Sequence, residues 1–147
     1  MVIEAFHRVY NKFKMHFYHV VFKKWKGRAL SLTTVETFCM EIIYGMDKPT
    51  VSEFSRFASL SSANAADKIN NLINKGYLKK TQSKEDKRKY YLEPTQKYLD
   101  YYDVSKSYID SVLEKVEERF SQEELEIFYK ILDTMDRELL ASYDELM

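Results

Sequence analysis

Residues 50–102, TVSEFSRFASLSSANAADKINNLINKGYLKKTQSKEDKRKYYLEPTQKYLDYY, decide the fold of this chain of 147 residues. The run begins with a short amphipathic helical pattern, which Ser59-Leu60-Ser61 interrupts. Ser61 stands where an N-cap belongs, before a second helix predicted over residues 62–75. Gly76 is the residue type that ends helices. A short helix, a tight turn and a second helix predict a helix-turn-helix.

A charged hairpin follows directly. Residues 77–82 and 89–92 favour strands, and the polar segment from Ser83 to Arg88 between them suits a hairpin tip. Two strands and a tip next to a helix-turn-helix predict a wing.

The wing tip is basic enough to bind a polyanion. We expect Lys84 and Lys87 to contact phosphates, and Arg88 to contact phosphates or enter the narrow minor groove of DNA. Asp86 lies two residues before Arg88, a spacing at which a carboxylate can hold the guanidinium in one orientation. We therefore predict that Asp86 organises the arginine. An ordinary solvated hairpin tip is the alternative.

The second helix is the candidate recognition helix, because the N-terminal residues of that helix lie along the major groove in a helix-turn-helix complex. Its early outward positions are the predicted DNA contacts: Ser62, Ala63, Asn64, Asp67 and Lys68. Asn64 suits adenine, and Lys68 suits phosphate or guanine. For a lone helix a solvated face would be the better interpretation, but the basic wing that follows favours nucleic acid.

Helical patterns flank this core on both sides, and three of them, near residues 2–25, 96–120 and 122–144, have apolar stripes too long for a winged core of roughly 60 residues to cover. A second copy of the chain is the natural cover, so we predict a homodimer whose two-fold axis pairs two DNA half-sites. The expected helices are one over residues 2–25 closed by Gly27, one capped by Ser31 or Thr33 and ending near Gly45, one capped by Thr50 or Ser52, one opened by Pro94-Thr95 and running to Phe120, and one capped by Ser121 with Glu124 and carrying apolar residues to Leu139.

The formal net charge is zero, but the charge is segregated along the chain. Residues 1–28 hold seven Lys or Arg and one acidic residue, and residues 75–89 hold seven Lys or Arg and two acidic residues. Residues 100–147 hold five Lys or Arg and fourteen acidic residues. We expect one cationic and one anionic face, and the cationic face fits a nucleic acid.

Composition disfavours several other classes of protein. No apolar run approaches the roughly 18 residues that span a bilayer, and the N-terminus lacks the pattern of a secretory signal, so we expect a cytoplasmic protein without membrane contact. The single cysteine, Cys39, shares a buried helical stripe and is expected to be an inert core thiol and not a redox sensor. Because no nucleophile elbow, phosphate loop or Gly-rich fingerprint is present, we expect neither an enzyme nor a cofactor.

Three histidines, His7, His16 and His19, lie on the first predicted helix. The spacing of His16 and His19 is compatible with metal ligation, but no carboxylate or thiol cluster adjoins them. Neutral histidines that face a tyrosine-rich interface explain them equally well, so no metal site is predicted.

The run at residues 50–102 resembles the DNA-binding core of the multiple-antibiotic-resistance regulator (MarR) family. The resemblance implies a mostly α fold with a small β-hairpin wing, in a single domain over residues 1–147. The winged helix-turn-helix core would span about residues 31–94, and dimerisation helices would span about 2–25 and 95–144. The matching elements are Glu53-Phe54, the Ser61 cap, Leu72 four residues before Gly76, the wing pair Asp86 and Arg88, and Thr95 at the start of the next helix.

Two features depart from the family pattern. Asp67 stands where family members usually carry a basic or neutral polar residue, and a carboxylate facing phosphates would weaken binding unless it accepts from a cytosine amino group or pairs with Lys68 or Asn71. Pro94 and Tyr98 replace the leucine and glycine often found beside that threonine, which should alter only the wing-to-helix junction.

The resemblance implies a homodimeric repressor or activator on a pseudo-palindromic DNA site, with a ligand held between the dimerisation and DNA-binding regions. Twelve tyrosines and nine phenylalanines suggest a small amphipathic or aromatic effector, although core and dimer packing is the commoner use of such stripes. The alternative function is a winged-helix dimer that acts as a protein-interaction module, in which Asp67 weakens or abolishes specific DNA binding.

Overall fold

The computed structural model describes residues 1–26 and 32–147, which form helices and one β-hairpin. The mostly α fold with a small hairpin wing is confirmed. Gly27 and Ser31, predicted as a helix end and an alternative cap, lie outside the described residues. The elements in chain order are α1 (Val2–Lys26), α2 (Thr34–Met46), α3 (Val51–Phe57), α4 (Ser62–Asn74), β1 (Leu78–Gln82), β2 (Tyr90–Pro94), α5 (Gln96–Arg119), α6 (Gln122–Thr134), a π-helical stretch (Met135–Leu139) and α7 (Tyr143–Leu146).

Hydroxyl side chains at the N-cap fix the starts of α2, α3, α4, α6 and α7. Thr33 accepts from the N–H of Glu36 at 3.2 Å, and the Glu36 carboxylate accepts from the N–H of Thr33 at 2.9 Å, which completes a capping box on α2. Thr50, and not Ser52, caps α3 by accepting from the N–H of Glu53 at 3.1 Å. The predicted caps of α4 and α6 are confirmed as well: Ser61 and Ser121.

The hydrophobic core lies mainly within the winged part of the chain. Its side chains come from α2, α3, α4, both strands, the first two turns of α5 and, through Val21, α1. Burial of each large aliphatic or Phe side chain contributes roughly 1.5–3 kcal/mol. This core holds the helix-turn-helix and the wing in one body. The largest side chains that are completely buried are Met40, Ile43, Phe54, Ile69, Leu72, Tyr77, Leu92 and Tyr98.

The wing pairs β1 with β2 in an antiparallel register that sets Leu78 opposite Pro94. The prediction that Pro94 opens the following helix is wrong, because Pro94 is the last residue of β2 and Thr95 is the N-cap of α5. A proline is tolerated there because the end of an edge strand does not require the N–H that proline lacks.

The second strand also joins the wing to the start of α3. Tyr91 forms an isolated β-bridge with Thr50, and the N–H of Leu92 donates to the carbonyl of Pro49 at 2.9 Å. These contacts hold the wing beside the helix-turn-helix.

The last predicted helix is shorter and less regular than expected. α6 ends at Thr134, the π-helical stretch follows, and Leu140 is extended. Ser142 then caps α7 in a capping box with Glu145. Helical conformation therefore reaches Leu139, as predicted, but the expected continuation to about residue 144 is wrong. The serine three residues before a glutamate is the sequence signal for the restart.

The long helix α1 packs along α5 through aromatic rings. His16 stacks on Tyr108 with ring centroids 3.6 Å apart, and Phe13 meets the same ring edge-on at 6.1 Å. Large apolar side chains nevertheless stay exposed on α1 and α5, and no residue of α6 is buried. Within residues 1–26 and 32–147, no helix is long and apolar enough to cross a membrane.

Candidate nucleic-acid interface

The turn between α3 and α4 is set by backbone hydrogen bonds and a left-handed serine. The N–H groups of Ser59 and Leu60 donate to the carbonyls of Arg56 and Ser55 at 3.2 and 2.9 Å. Ser59 has a φ of 53°, the conformation that closes this type of helix end. Ser61 caps α4 directly afterwards, so the short helix α3 braces the start of α4.

The first two turns of α4 present a polar face to solvent. Ser62, Ala63, Asn64 and Asp67 are exposed, as predicted for residues that would contact DNA. Asp67 has no ion pair within the described part of the chain, so its carboxylate stands unneutralised on this face. The opposite side of the helix is buried in the core: Ala65, Ile69 and Leu72.

Lys68 is the exception among the predicted contact residues. It is only partly exposed, because it lies between the buried residues Ala65 and Leu72 on the edge of the core-facing side. Its ammonium lies close enough to Glu36 of α2 to favour the ionised carboxylate. The expectation that Lys68 points wholly outward is therefore wrong, and a contact between Lys68 and DNA stays a prediction.

The wing tip is a tight turn built around Ser83 and Asp86. The N–H of Lys89 donates to the carbonyl of Asp86, and the N–H of Ser83 donates to the carbonyl of Lys89, each at 2.9 Å. The Ser83 hydroxyl, buried at the base of the tip, accepts from the N–H of Asp86 at 3.2 Å. The exposed Lys84 and Lys87 therefore project from an ordered turn.

Asp86 holds Arg88 as the sequence spacing predicted. Its carboxylate accepts from the Arg88 backbone N–H and from Nε, each at 3.1 Å, and from Nη2 at 3.2 Å. The hydrogen bonds from the Arg88 side chain and backbone lower the pKa of Asp86. The Arg88 side chain is 90% exposed, so the oriented guanidinium faces solvent. The orienting geometry is confirmed, and the DNA contact stays a prediction.

α3, the start of α4 and the wing enclose a groove of about 520 Å³. Ser62 and Arg88 both line this groove, so the recognition helix and the wing face the same space. Glu53 adds one carboxylate to its walls. The sequence analysis did not assign part of the cationic lining of this groove. A signal for Arg56 was present, because a helix α3 that buries Phe54 leaves Arg56 exposed. The cations that were not assigned are Arg56, Lys80 and Lys89.

Hydrogen bonds connect the end of the recognition helix to the start of α5. Gly76 ends the helix in the left-handed conformation, with a φ of 82°. The Thr95 hydroxyl donates to the Gly76 carbonyl at 2.6 Å, and Lys97 Nζ donates to the Lys75 carbonyl at 2.8 Å. The position of α5 and the end of the recognition helix are therefore coupled.

A buried ion pair connects the recognition helix to α2. Lys75 Nζ lies 2.7 Å from Oε2 of Glu36, whose side chain is only 5% exposed. Burial raises the pKa of Glu36, but the hydrogen bonds from Lys75 and Thr33 and the positive charges of Lys75 and Lys68 outweigh it, so the pKa is lowered. Glu36 is therefore ionised at neutral pH.

A separate cavity of about 340 Å³ lies between α1, α2 and α5. Glu41 of α2 lines it, and its carboxylate accepts a hydrogen bond from the Tyr98 hydroxyl. Burial raises the pKa of Glu41, and the hydrogen bond from Tyr98 opposes this shift only in part. Because Tyr98 is completely buried and bound to α2, the expectation that it alters only the wing-to-helix junction is wrong.

The weaker sequence features add no chemistry to this surface. Cys39 is buried, and burial raises the pKa of its thiol, which supports an inert core cysteine. His16 is stacked on Tyr108. Among the residues that the structure describes, no group of three or more His, Cys, Asp or Glu side chains could hold a metal ion.

A recognition helix and a basic wing that face one groove define a winged-helix DNA-binding protein. Residues 32–90 match the family model described as MarR family. The comparison with curated protein sequences found no match.

Solved structures share the fold over nearly the whole chain. A MarR protein from Peptoclostridium difficile is 25% identical, with a TM-score of 0.51 over 90% of this chain and 85% of that one. Streptococcus pneumoniae FabT, solved in complex with DNA, is 22% identical, with a TM-score of 0.51 over 91% and 96% of the two chains. The transcriptional regulator Tm0710 from Thermotoga maritima is 19% identical, with a TM-score of 0.60 over 95% and 99%.

The fold and the family match over residues 32–90 support the class of winged-helix DNA-binding transcription regulators. The match to the MarR family model over residues 32–90 agrees with the resemblance seen in the sequence.

Proposed function

We propose that this chain is a homodimeric transcriptional repressor that binds a pseudo-palindromic duplex DNA site, with an affinity that a small effector changes. The observation that carries the proposal is the shared groove, where the recognition helix and the Arg88 guanidinium held by Asp86 face one space. In this arrangement the first turns of α4 enter the major groove while the wing reaches the neighbouring backbone or minor groove.

The charge around the groove supports DNA as the partner. Cationic side chains of α3, of strand β1 and of the wing tip line the groove, although the chain as a whole has a net charge of zero. FabT, which has the same fold, has been solved bound to DNA. The proposed DNA-contacting residues are Ser62, Ala63, Asn64, Asp67, Lys68, Lys84, Lys87 and Arg88, with Asp86 as the residue that orients Arg88 and with Arg56, Lys80 and Lys89 added from the structure.

Uncovered apolar surface supports the homodimer. Two grooves lie between α5 and α6, and Val116, Leu125 and Phe128 line both of them. Ile127 and Ile131 of α6 are 55% and 52% exposed. Contiguous apolar surface of this kind marks an interface, and a two-fold axis lets each chain cover the other.

The α1–α2–α5 cavity supports an effector site. It lies between helices that we assign to dimerisation and α2 of the winged core. Its volume falls in the range of roughly 300–1,000 Å³ that is usual for small-molecule pockets. The Tyr98 hydroxyl binds Glu41 at this cavity, and Tyr98 lies in the turn of α5 that is hydrogen-bonded to the end of the recognition helix.

Asp67 supports a second candidate, a winged-helix dimer that acts as a protein-interaction module. An exposed carboxylate without an ion pair in the described ranges repels phosphates, so it would weaken DNA binding on the recognition face. The experiments below separate the two functions.

The first experiment measures the affinity for duplex DNA as a function of salt. We expect log affinity to fall steeply with log salt concentration, because bound phosphates release counterions. Arg88→Ala should weaken binding to any duplex by roughly tenfold and lower the salt slope by about one for each wing engaged.

Arg137→Ala is the matched control. Arg137 is also an exposed arginine held by an aspartate, with Nε 2.9 Å from Asp133, but it lies on the π-helical stretch, away from the groove. Its removal should leave DNA affinity unchanged. DNA binding that is insensitive to Arg88→Ala would remove the wing assignment, and an absence of salt-dependent DNA binding would favour the interaction module.

The second experiment tests sequence readout by the recognition helix. Asn64→Ala should cost on the order of 1–3 kcal/mol at one base position of a site selected from random duplexes, and it should leave non-specific binding nearly unchanged. Asn70→Ala, an exposed asparagine further along α4, is the control and should affect neither. Equal reductions in both variants would contradict the assignment of Asn64.

A further inference from the structure

We propose that the α1–α2–α5 cavity selects a ligand with a protonated amine on an aromatic or apolar body, and that Glu41 is the residue that selects it. The inference rests on the proposed function only in treating this cavity as the effector site. Its chemistry follows from the walls of the cavity and the position of one carboxylate.

The walls suit a flat or apolar body that carries positive charge. Aromatic rings from three helices surround the space, and they present the negative faces that attract cations. The cavity is large enough for a ligand of one or two rings. The aromatic side chains that line it include Tyr10, Phe13, Phe17, Phe38, Tyr102 and Tyr108.

Glu41 supplies the polar group of the site. Its Oε1 accepts from the Tyr98 hydroxyl, so the carboxyl is held from the core side while it lines the cavity. Burial raises the pKa of Glu41, so the empty site holds its negative charge at a penalty. A ligand ammonium beside the carboxylate removes that penalty, whereas a ligand carboxylate adds to it.

Two lysines also line the cavity, and each contacts a neighbouring side chain. Lys14 Nζ lies over the Tyr10 ring, 4.7 Å from its centroid. Lys106 Nζ lies 3.5 Å from the Asp110 carboxylate one turn further along α5. Glu41 is the one carboxylate among the described residues that line the cavity, so it is the group that an ammonium would bind.

The same contact gives the ligand a route to the DNA-binding surface. Tyr98 lies in the first turn of α5, where Thr95 and Lys97 bind the carbonyls at the end of the recognition helix. An ammonium that binds Glu41 competes with the Tyr98 hydroxyl for the carboxylate. Ligand binding at Glu41 therefore acts on the turn that positions the recognition helix.

The test uses three probes that share one body and differ in the head group: 4-phenylbutylamine, 4-phenylbutanol and 4-phenylbutyrate. Their dissociation constants for the full-length protein are measured by calorimetry without DNA. We expect the amine to bind roughly tenfold more tightly than the alcohol, and the carboxylate to bind least, because a charge-assisted hydrogen bond replaces a neutral one.

Glu41→Gln keeps the shape of the side chain and its acceptor for Tyr98 but removes the charge. It should bring the amine to within about twofold of the alcohol and leave the alcohol unchanged. Glu114→Gln makes the same chemical change at an exposed position of α5 outside the cavity and should preserve the preference for the amine. Thermal unfolding checks that both variants are folded.

Tighter binding of the carboxylate, an amine preference that survives in Glu41→Gln, or no binding of any probe would overturn the inference. These outcomes are independent of the proposed function, which the DNA titrations with Arg88→Ala test separately. A protein that binds DNA through Arg88 but binds no amine would support the proposed function and contradict the inference about Glu41. A protein that binds the amine through Glu41 but does not bind DNA would support the inference and contradict the proposed function.

Discussion

The winged core and the flanking helices differ in how much of their apolar surface they cover. In the core, side chains from seven elements, α1 included, close around Phe54, Leu72 and Tyr98, which solvent does not reach. Outside it, large apolar side chains remain exposed along residues 1–22 and 108–146. Within the described residues, the only exposed large apolar side chains of the core are Val35, Phe38 and Tyr91.

This difference separates folding from assembly. The core buries nearly all of its large apolar side chains within one chain, so the groove between the recognition helix and the wing forms without help from another chain. α6 begins with a capping box and carries a long apolar stripe, but the α5–α6 grooves have no occupant among the described residues of the chain. Stability of the core and association of the chains should therefore respond to different substitutions.

Of the substitutions that test this comparison, Phe128→Asp should have the largest effect, because it should disrupt association through the flanking helices. Phe128 lines both apolar grooves, and a carboxylate buried there at the proposed interface would lose its hydration without a partner. We expect the dimer dissociation constant to rise by more than about 100-fold, while the core stays folded. Sedimentation measures the assembly, and circular dichroism measures the fold.

Lys130→Asp is the control for that substitution. It places the same carboxylate two residues further along α6, at an exposed position that lines neither groove. It should leave the dissociation constant within a few-fold of the original protein. A Phe128→Asp protein that stays dimeric would show that these grooves are not the interface.

Glu36→Gln should lower the free energy of unfolding of the winged core by roughly 1–2 kcal/mol, because it removes the negative charge of a buried, hydrogen-bonded ion pair. The pKa of Glu36 is lowered by folding, so its contribution is present above the unfolded pKa and is lost as pH falls through the lowered folded pKa. The difference in unfolding free energy between the two proteins should therefore shrink as the pH becomes acidic. Chemical denaturation at several pH values measures it.

The exposed pair of Lys106 and Asp110 provides the comparison for this substitution. Asp110→Asn should cost less than about 0.5 kcal/mol, because an exposed pair of this kind contributes little. The association of the chains should not change in Glu36→Gln, and a raised dimer dissociation constant would contradict the separation of the two regions.

Local sequence signals predicted the elements of both regions. The Ser61 cap, the Gly76 helix end and the Asp86 and Arg88 pair lie within a few residues of their partners, so the chain order alone reveals them. The family resemblance supplied the arrangement of the helices around the core.

Contacts between distant parts of the chain could not be predicted in the same way. Glu41 and Tyr98 are 57 residues apart, and Glu36 and Lys75 are 39 apart. Only the packed fold shows that each pair meets. Lys68 illustrates the limit within one helix, because its position on the edge between exposed and buried sides depends on how α4 rotates against α2.

Ser59→Gly should have the smallest effect of these substitutions, a slight increase in the free energy of unfolding of the winged core. Ser59 is held at a φ of 53°, a conformation that disfavours residues with a Cβ atom. Relief of that strain outweighs the extra freedom that glycine gives the unfolded chain, so we expect a gain of roughly 0.5 kcal/mol in unfolding free energy. Ser111→Gly, within the regular helix α5, should instead lose about 0.5 kcal/mol.

A loss of stability in both variants would show that the Ser59 side chain contributes more to the turn between α3 and α4 than its backbone strain removes. A gain confined to Ser59→Gly, with unchanged dimer dissociation, would show that the core can be stabilised independently of the flanking helices.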